Sequence, residues 1–193
     1  MKLLPPSFYR RSTKQIARDL LGKTLCRRFD DGSVQRARIV ETEAYLGADD
    51  AACHSFGHRR TERVRSMYLP GGHAYIYLIY GMYDCLNVVT KSTKEPEAVL
   101  IRAIEPLDFV PLGKVKKTAL PTNGPGKLCR FWKITRAHDG LALFTRKSAI
   151  WIEEGERTER IVATTRVGVD YAGDAAAWPL RFYLEGNPFV SKR

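Results

Sequence analysis

The spacing of apolar residues changes several times along the chain, and each change marks an element. Behind Ser12 and Thr13, which can cap a helix, Ile16, Ala17, Leu20 and Leu21 share one helical face, and Gly22 stops the run. Residues 23–29 and 34–43 read as strands joined by Asp30-Asp31-Gly32-Ser33, an Asp-Gly hairpin turn. Residues 46–72 are rich in Gly, Asp and Pro and predict loop, with a short helix over 61–67 that Thr61 can cap. From 73 to 79 the alternation is strict, with Tyr75, Tyr77 and Ile79 on one face and Ile76 and Leu78 on the other. A strand apolar on both faces is covered on both or borders a ligand. Strands over 85–90 and 98–105 complete an antiparallel group. A proline-rich linker over 106–125, a helix over 126–134 and short strands at 141–145, 149–151, 161–165 and 180–184 follow. Helices and strands mix without a βαβ rhythm. The expected fold is therefore α+β: one compact domain over 1–193, with a mostly antiparallel curved sheet and peripheral helices.

A chain of 193 residues can build its core without a metal or disulfide staple. No stretch approaches the run of about 18 apolar residues that spans a membrane, and the first residues, with two prolines and two arginines, make a poor secretory signal. Cys26, Cys53, Cys85 and Cys129 are widely spaced and read as reduced core residues. Cys53, His54 and His58 offer three metal ligands but no fourth at a usual spacing, so neither metal nor cofactor is expected.

Charge supplies the first functional clue. The formal net charge is +11, distributed as +7 over 1–40, −3 over 41–110, +8 over 111–150 and −1 over 151–193. Two basic segments around a slightly acidic one fit a polyanion gripped about a central site. The central segment also holds the unusual chemistry. Glu41, Glu43 and Tyr45 share one strand face, either as a solvated edge or as a pocket wall. Five of the nine tyrosines (Tyr68, Tyr75, Tyr77, Tyr80 and Tyr83) fall within 68–83. They build a core, or they stack nucleic-acid bases at about 1–3 kcal/mol each. Tyr80, just before Gly81, sits at a turn from which a ring can project as a wedge.

ETEAYLG, AACHSFGHRRTERVRSMY, YIYLIYGMYDCLN, VLIRAIEP, NGPGKLC and RVGVDYAG, in that order, closely resemble the alkyladenine (3-methyladenine) DNA glycosylase family, over nearly the whole chain. The resemblance implies a metal-free, monofunctional enzyme that flips a damaged purine out of duplex DNA and hydrolyses its N-glycosidic bond. It implies that Glu43 is the general base and that Arg102 helps to hold the catalytic water and a phosphate. Tyr45, His54, Tyr77 and Asn87 would form the base pocket, with the base between Tyr77 on one side and Tyr45 with His54 on the other. Tyr80 would be the wedge. The exposed-looking cluster Arg59, Arg60, Arg63 and Arg65 suits a backbone groove, and Lys127 in NGPGK suits a phosphate, although that segment also reads as a plain turn into a helix. Gly168 and Gly173 admit either a DNA backbone or a close neighbour within the fold. Val64 stands where the family usually has asparagine, and Phe131-Trp132 replace smaller residues.

These roles agree with elementary chemistry. Extruding a base costs a few kcal/mol, less when it is damaged. Hydrolysis then needs a water, and a carboxylate that takes its proton and opposes the positive charge growing on the sugar. Double-stranded DNA is the expected partner and a monomer in the bacterial cytoplasm the expected state. Two other readings remain: a damage-binding protein without catalysis, which Glu43 and Arg102 together disfavour, and an RNA-binding module with stacked tyrosines.

Overall fold

Residues 1–108 and 120–192 are described by the computed structural model, and among them one antiparallel sheet sets the architecture. Its strands are β1 (Thr24–Arg28), β2 (Val34–Tyr45), β3 (Ala74–Ile79), β4 (Tyr83–Thr90), β5 (Glu97–Pro106), β6 (Ile150–Glu153), β7 (Ile161–Thr164) and β8 (Arg181–Leu184). They run in the order β3-β4-β5-β2-β1-β6, and β7 joins through β8, which pairs with β2. Helices α1 (Thr13–Asp19) and α2 (Pro125–Phe131) and several 3₁₀ turns lie around the sheet, giving the expected α+β class.

The twelve-residue β2 organises the rest. One edge pairs with β5 from Ala37 to Tyr45; the other pairs first with β1, through Val34–Arg38, and then with β8, through Glu41–Glu43. The β2–β5 register slips twice, between Ile39 and Glu41 and between Glu41 and Thr42, so Val40 and Arg102 have no direct cross-strand partner. Bulges of this kind kink a sheet and re-aim side chains. Beyond the slips the register aligns Glu43, Leu100, Asn87 and Tyr75 in one row across β2, β5, β4 and β3. Opposed residues share a face, so a single side of the sheet presents all four.

The other side carries the main core. Ile16 and Ala17 of α1 are fully buried, and Thr42 donates a hydrogen bond to the Ala17 carbonyl at 2.7 Å. Ile76, Leu86, Val88, Val99, Ile101, Trp132 and Phe182 belong to that same cluster. Tyr75, Val89, Ala98, Cys53, Val64 and Met67 pack on the opposite face. The strand of mixed apolar character is thus covered on both sides, and Val64, the departure noted in the sequence, is buried apolar packing.

Three expectations are corrected. Residues 141–145 form a turn with one bridge, His73 to Ala142. The backbone there serves two neighbours, since Leu143 N–H donates to Gly72 while its carbonyl accepts from Ile152, and no ladder develops. The short helix expected over 61–67 is present as a 3₁₀ helix, Glu62–Tyr68, but Thr61 makes no capping bond. Much of the 106–125 linker, including Lys114, Lys116 and Lys117, lies outside the described residues. Its last part packs into the fold and is no free linker: Thr122 is fully buried and its hydroxyl donates to the Ile104 carbonyl at 2.5 Å.

Candidate active site

The Glu43 row opens into a cavity of about 590 Å³, lined by Tyr45, His54, Tyr75, Tyr77, Tyr80, Cys85, Asn87, Leu100, Arg102 and Lys127, and by the Val167–Val169 backbone. This is the size of a small-molecule site, and larger than a base alone needs. Four parts of the chain converge on it: the sheet face, the 52–67 segment, the 123–127 segment and the 167–171 segment.

Glu43 has no exposed surface and sits behind the wall. One carboxylate oxygen, Oε1, accepts Val167 N–H at 2.8 Å and lies 3.4 Å from Arg102 Nη1; the other accepts the Tyr45 hydroxyl at 2.9 Å. Each of these partners lines the cavity. Burial, with Glu43 beside it, holds the Tyr45 phenol well above its usual range, so it stays a neutral donor. Because a carboxylate offers about four lone-pair sites, Oε2, with Tyr45 alone on it, keeps one for a further donor.

Arg102 comes from the β5 irregularity, which turns its guanidinium back toward β2. Its Nε lies 3.2 Å from Glu41 Oε1, and the same oxygen takes Arg181 Nη1 at 2.7 Å. Arg166 forms a fully buried, two-pronged pair with Asp50, at 2.5 and 2.8 Å, and also donates to the carbonyls of Ala44 and Ala175. Its guanidinium lies 4.8 Å from the Tyr45 ring centroid. Arg166 therefore fixes the segment from which Val167 reaches Glu43.

His54 is part-buried, with Nδ1 2.8 Å from the Tyr75 hydroxyl and its ring edge-on to Tyr77, centroids 4.4 Å apart. Desolvation, with Arg63 and Arg59 nearby, lowers its pKa to about 4, so it is neutral at neutral pH. This contact corrects the grouping that the resemblance implied. At 4.4 Å nothing fits between His54 and Tyr77, so His54 belongs with Tyr77, and all three rings line the cavity. Asn87 is buried, its amide nitrogen donating to the carbonyls of Tyr75 and Cys85 at 3.0 and 3.3 Å.

Tyr80 caps the β3–β4 hairpin, 79% exposed, with φ of +52° beside Gly81 at +71°. A bulky residue at positive φ is strained. Met82, in the same hairpin turn, and Tyr171, on the cavity wall, are also exposed. The four arginines are exposed as expected, but they do different things. Arg63 donates to the Leu78 carbonyl beside Tyr77, Arg60 lies over the Tyr68 ring and Arg65 pairs with Glu62. Lys127 lines the cavity with its ammonium on Asn123 Oδ1 at 2.8 Å. Gly168 and Gly173 have positive φ and no atom within 4 Å of an added Cβ, so backbone conformation and not crowding requires glycine there. The residues missed in the sequence are mostly supports: Asp50, Arg166, Arg181, Ser191 and the Val167 N–H. RVGVDYAG did contain Arg166 and Val167, but its glycines drew the attention.

Comparison with known proteins places this sheet and cavity among the DNA glycosylases, hydrolases acting on N-glycosyl bonds, so DNA is the substrate. The family model that matches, over residues 7–188, is that of methylpurine-DNA glycosylase, and the chain belongs to that family. Similar proteins occur in Bdellovibrio bacteriovorus (55% identical, covering 99% of this chain and 100% of the relative) and Methanocella arvoryzae (49%, covering 100% and 98%). A third, from Bacillus cereus strain B4264, is 45% identical over 98% of each chain. All three are named "Putative 3-methyladenine DNA glycosylase".

Proposed function

We propose that the protein flips alkylated or deaminated purines out of duplex DNA and hydrolyses their N-glycosidic bond with Glu43 as general base, leaving an abasic site. The observation that carries this reading is a fully buried carboxylate whose partners, Tyr45, Arg102 and Val167, are themselves walls of an aromatic cavity. The purine lies between Tyr45 and the His54–Tyr77 pair. An alkylated purine is cationic, stacks well on electron-rich rings and is already a good leaving group. Water at the cavity floor loses its proton to Glu43 as its oxygen bonds to the sugar C1′, and the C1′–N bond breaks with its electron pair going to the base. The Glu43 charge also opposes the positive charge growing on the sugar. Arg102 holds the water and the neighbouring phosphate, Asn87 shapes the pocket edge, and Tyr80 fills the gap in the duplex. Arg59, Arg60, Arg63, Arg65 and Lys127 hold phosphates, and the protein acts as a monomer.

The test is single-turnover excision from a duplex with one alkylated purine, followed by alkaline cleavage at abasic sites. Glu43→Gln should lose at least about a hundredfold in rate, the lower range for a general base, while still binding the duplex. Near-normal excision by that variant would remove Glu43 from the mechanism. Tight lesion binding by the wild type without any abasic product would favour the non-catalytic alternative.

A further inference from the structure

Glu41 is fully buried, does not line the cavity and has no part in the mechanism above, yet three contacts hold it in place, one of them to Arg102. Its Oε1 meets Arg102 Nε at 3.2 Å and Arg181 Nη1 at 2.7 Å, and its Oε2 accepts Ser191 N–H at 2.6 Å. Arg102 closes the group by donating to the Ser191 hydroxyl at 3.3 Å. Arg102 thus stands between two carboxylates, Nε toward Glu41 and Nη1 toward Glu43, at 3.2 and 3.4 Å. Two arginines and two carboxylates balance in charge, but not in geometry. Arg181, although opposite Glu43 across the β2–β8 ladder, spends its guanidinium on Glu41, the Thr165 carbonyl and the Lys192 carbonyl.

We propose that Glu41 is a positioning residue that divides Arg102 between itself and Glu43, and thereby keeps Glu43 basic enough to take the water proton. The inference rests on Glu43 being the general base. A cation wholly committed to Glu43 would stabilise its charged form and make it a poor base; the like charge of Glu41 and its claim on Arg102 both act against that. The remaining groups around Glu43 do not compete. Tyr45, Tyr77 and Cys85 are kept neutral by burial, Cys85 with a thiol pushed up to about 11, and Arg166 is compensated by Asp50. The division also aims Arg102, since two of its nitrogens are fixed by two different residues of β2.

The experiment is the pH profile of kcat/KM for excision of an alkylated purine, with the wild type run on the same duplex so that substrate titration cancels. In Glu41→Gln, Arg102 turns fully to Glu43 and the like charge is gone. The acidic limb should move to lower pH by about one unit. In Arg181→Gln, Glu41 draws Arg102 away from Glu43, and the limb should move to higher pH. Both variants unbalance buried charge, so a purely structural role predicts lost stability in each with limbs unmoved. Glu41→Asp should return the limb to the wild-type position. If Glu41→Gln does not fold, Arg181→Gln decides alone. Limbs that stay in place, or move the same way in both variants, while Glu43→Gln abolishes excision, overturn the role of Glu41 only. Excision retained in Glu43→Gln overturns the general-base reading and this inference with it.

Discussion

Replacing Tyr80 with asparagine should make the protein more stable and a worse enzyme. The ring is 79% exposed, so its removal costs little buried area, while its φ of +52° is one that a bulky side chain adopts only under strain. Left-handed backbone costs an ordinary residue about 1–2 kcal/mol. Asparagine tolerates it, and Asn-Gly is the favoured pair for a hairpin turn with positive φ at both central positions, which Tyr80 and Gly81 occupy. Relief of about 1 kcal/mol should raise the melting temperature by about 2–4 °C in a chain of this length. If the ring stacks in the duplex, its loss removes about 1–3 kcal/mol of capture, or about 5- to 150-fold in affinity for the flipped state. Thermal melting and the fluorescence of a base analogue beside the lesion read the two effects separately. A melting temperature that falls would mean that the ring packs for the fold. Unchanged flipping would mean that the strain serves something other than a wedge.

Two further outcomes follow from the buried charges and from His54. Asp50→Ala strands Arg166, 0% exposed, without its counter-ion and should cost about 3–5 kcal/mol, read as a melting temperature lower by about 6–20 °C; a fall below 2 °C would contradict it. His54 has its pKa lowered to about 4, from an ordinary value of 6.5. The unfolded chain therefore takes up its proton first, and the stability His54 contributes is full above about pH 6.5 and lost as pH falls through about 4. Denaturant midpoints across that window should decline less steeply in His54→Gln than in the wild type; parallel declines would show that His54 is not depressed.

Position in the sequence revealed the groups that face the cavity much better than the groups that hold them. Tyr45, Tyr75 and Tyr77, with Glu43 behind them, follow from strand alternation, because period two survives tertiary context. The pairing of His54 with Tyr77 did not, since His54 arrives on a 3₁₀-rich loop whose path no local pattern encodes. Arg102 was picked out only through the family resemblance; its aim depends on a register slip between strands distant in sequence. Asp50 and Arg166 lie 116 positions apart, and either alone reads as an ordinary surface charge. Residues 141–145 show the converse error. Their apolar run is real, and Leu143 is buried, but two neighbours share its backbone groups, so packing is present without a strand.

The supporting charges are a poor way to gain stability. Burying an ion pair costs each partner its hydration, and apolar residues of similar volume often do as well or better. Arg166 shows the cost directly: its Nε is buried without a hydrogen-bond partner among the described residues, although both terminal nitrogens are saturated. What such pairs supply is direction. Asp50 and Arg166 fix the chain one residue before the N–H that grips Glu43, and Glu41 with Arg181 fixes the arginine on its other side. Glu43 is thus held by groups from two strands and a loop, none of which it could orient itself. A carboxylate that must point one oxygen at a water beside a departing base needs that direction more than the few kcal/mol an oily interior would return.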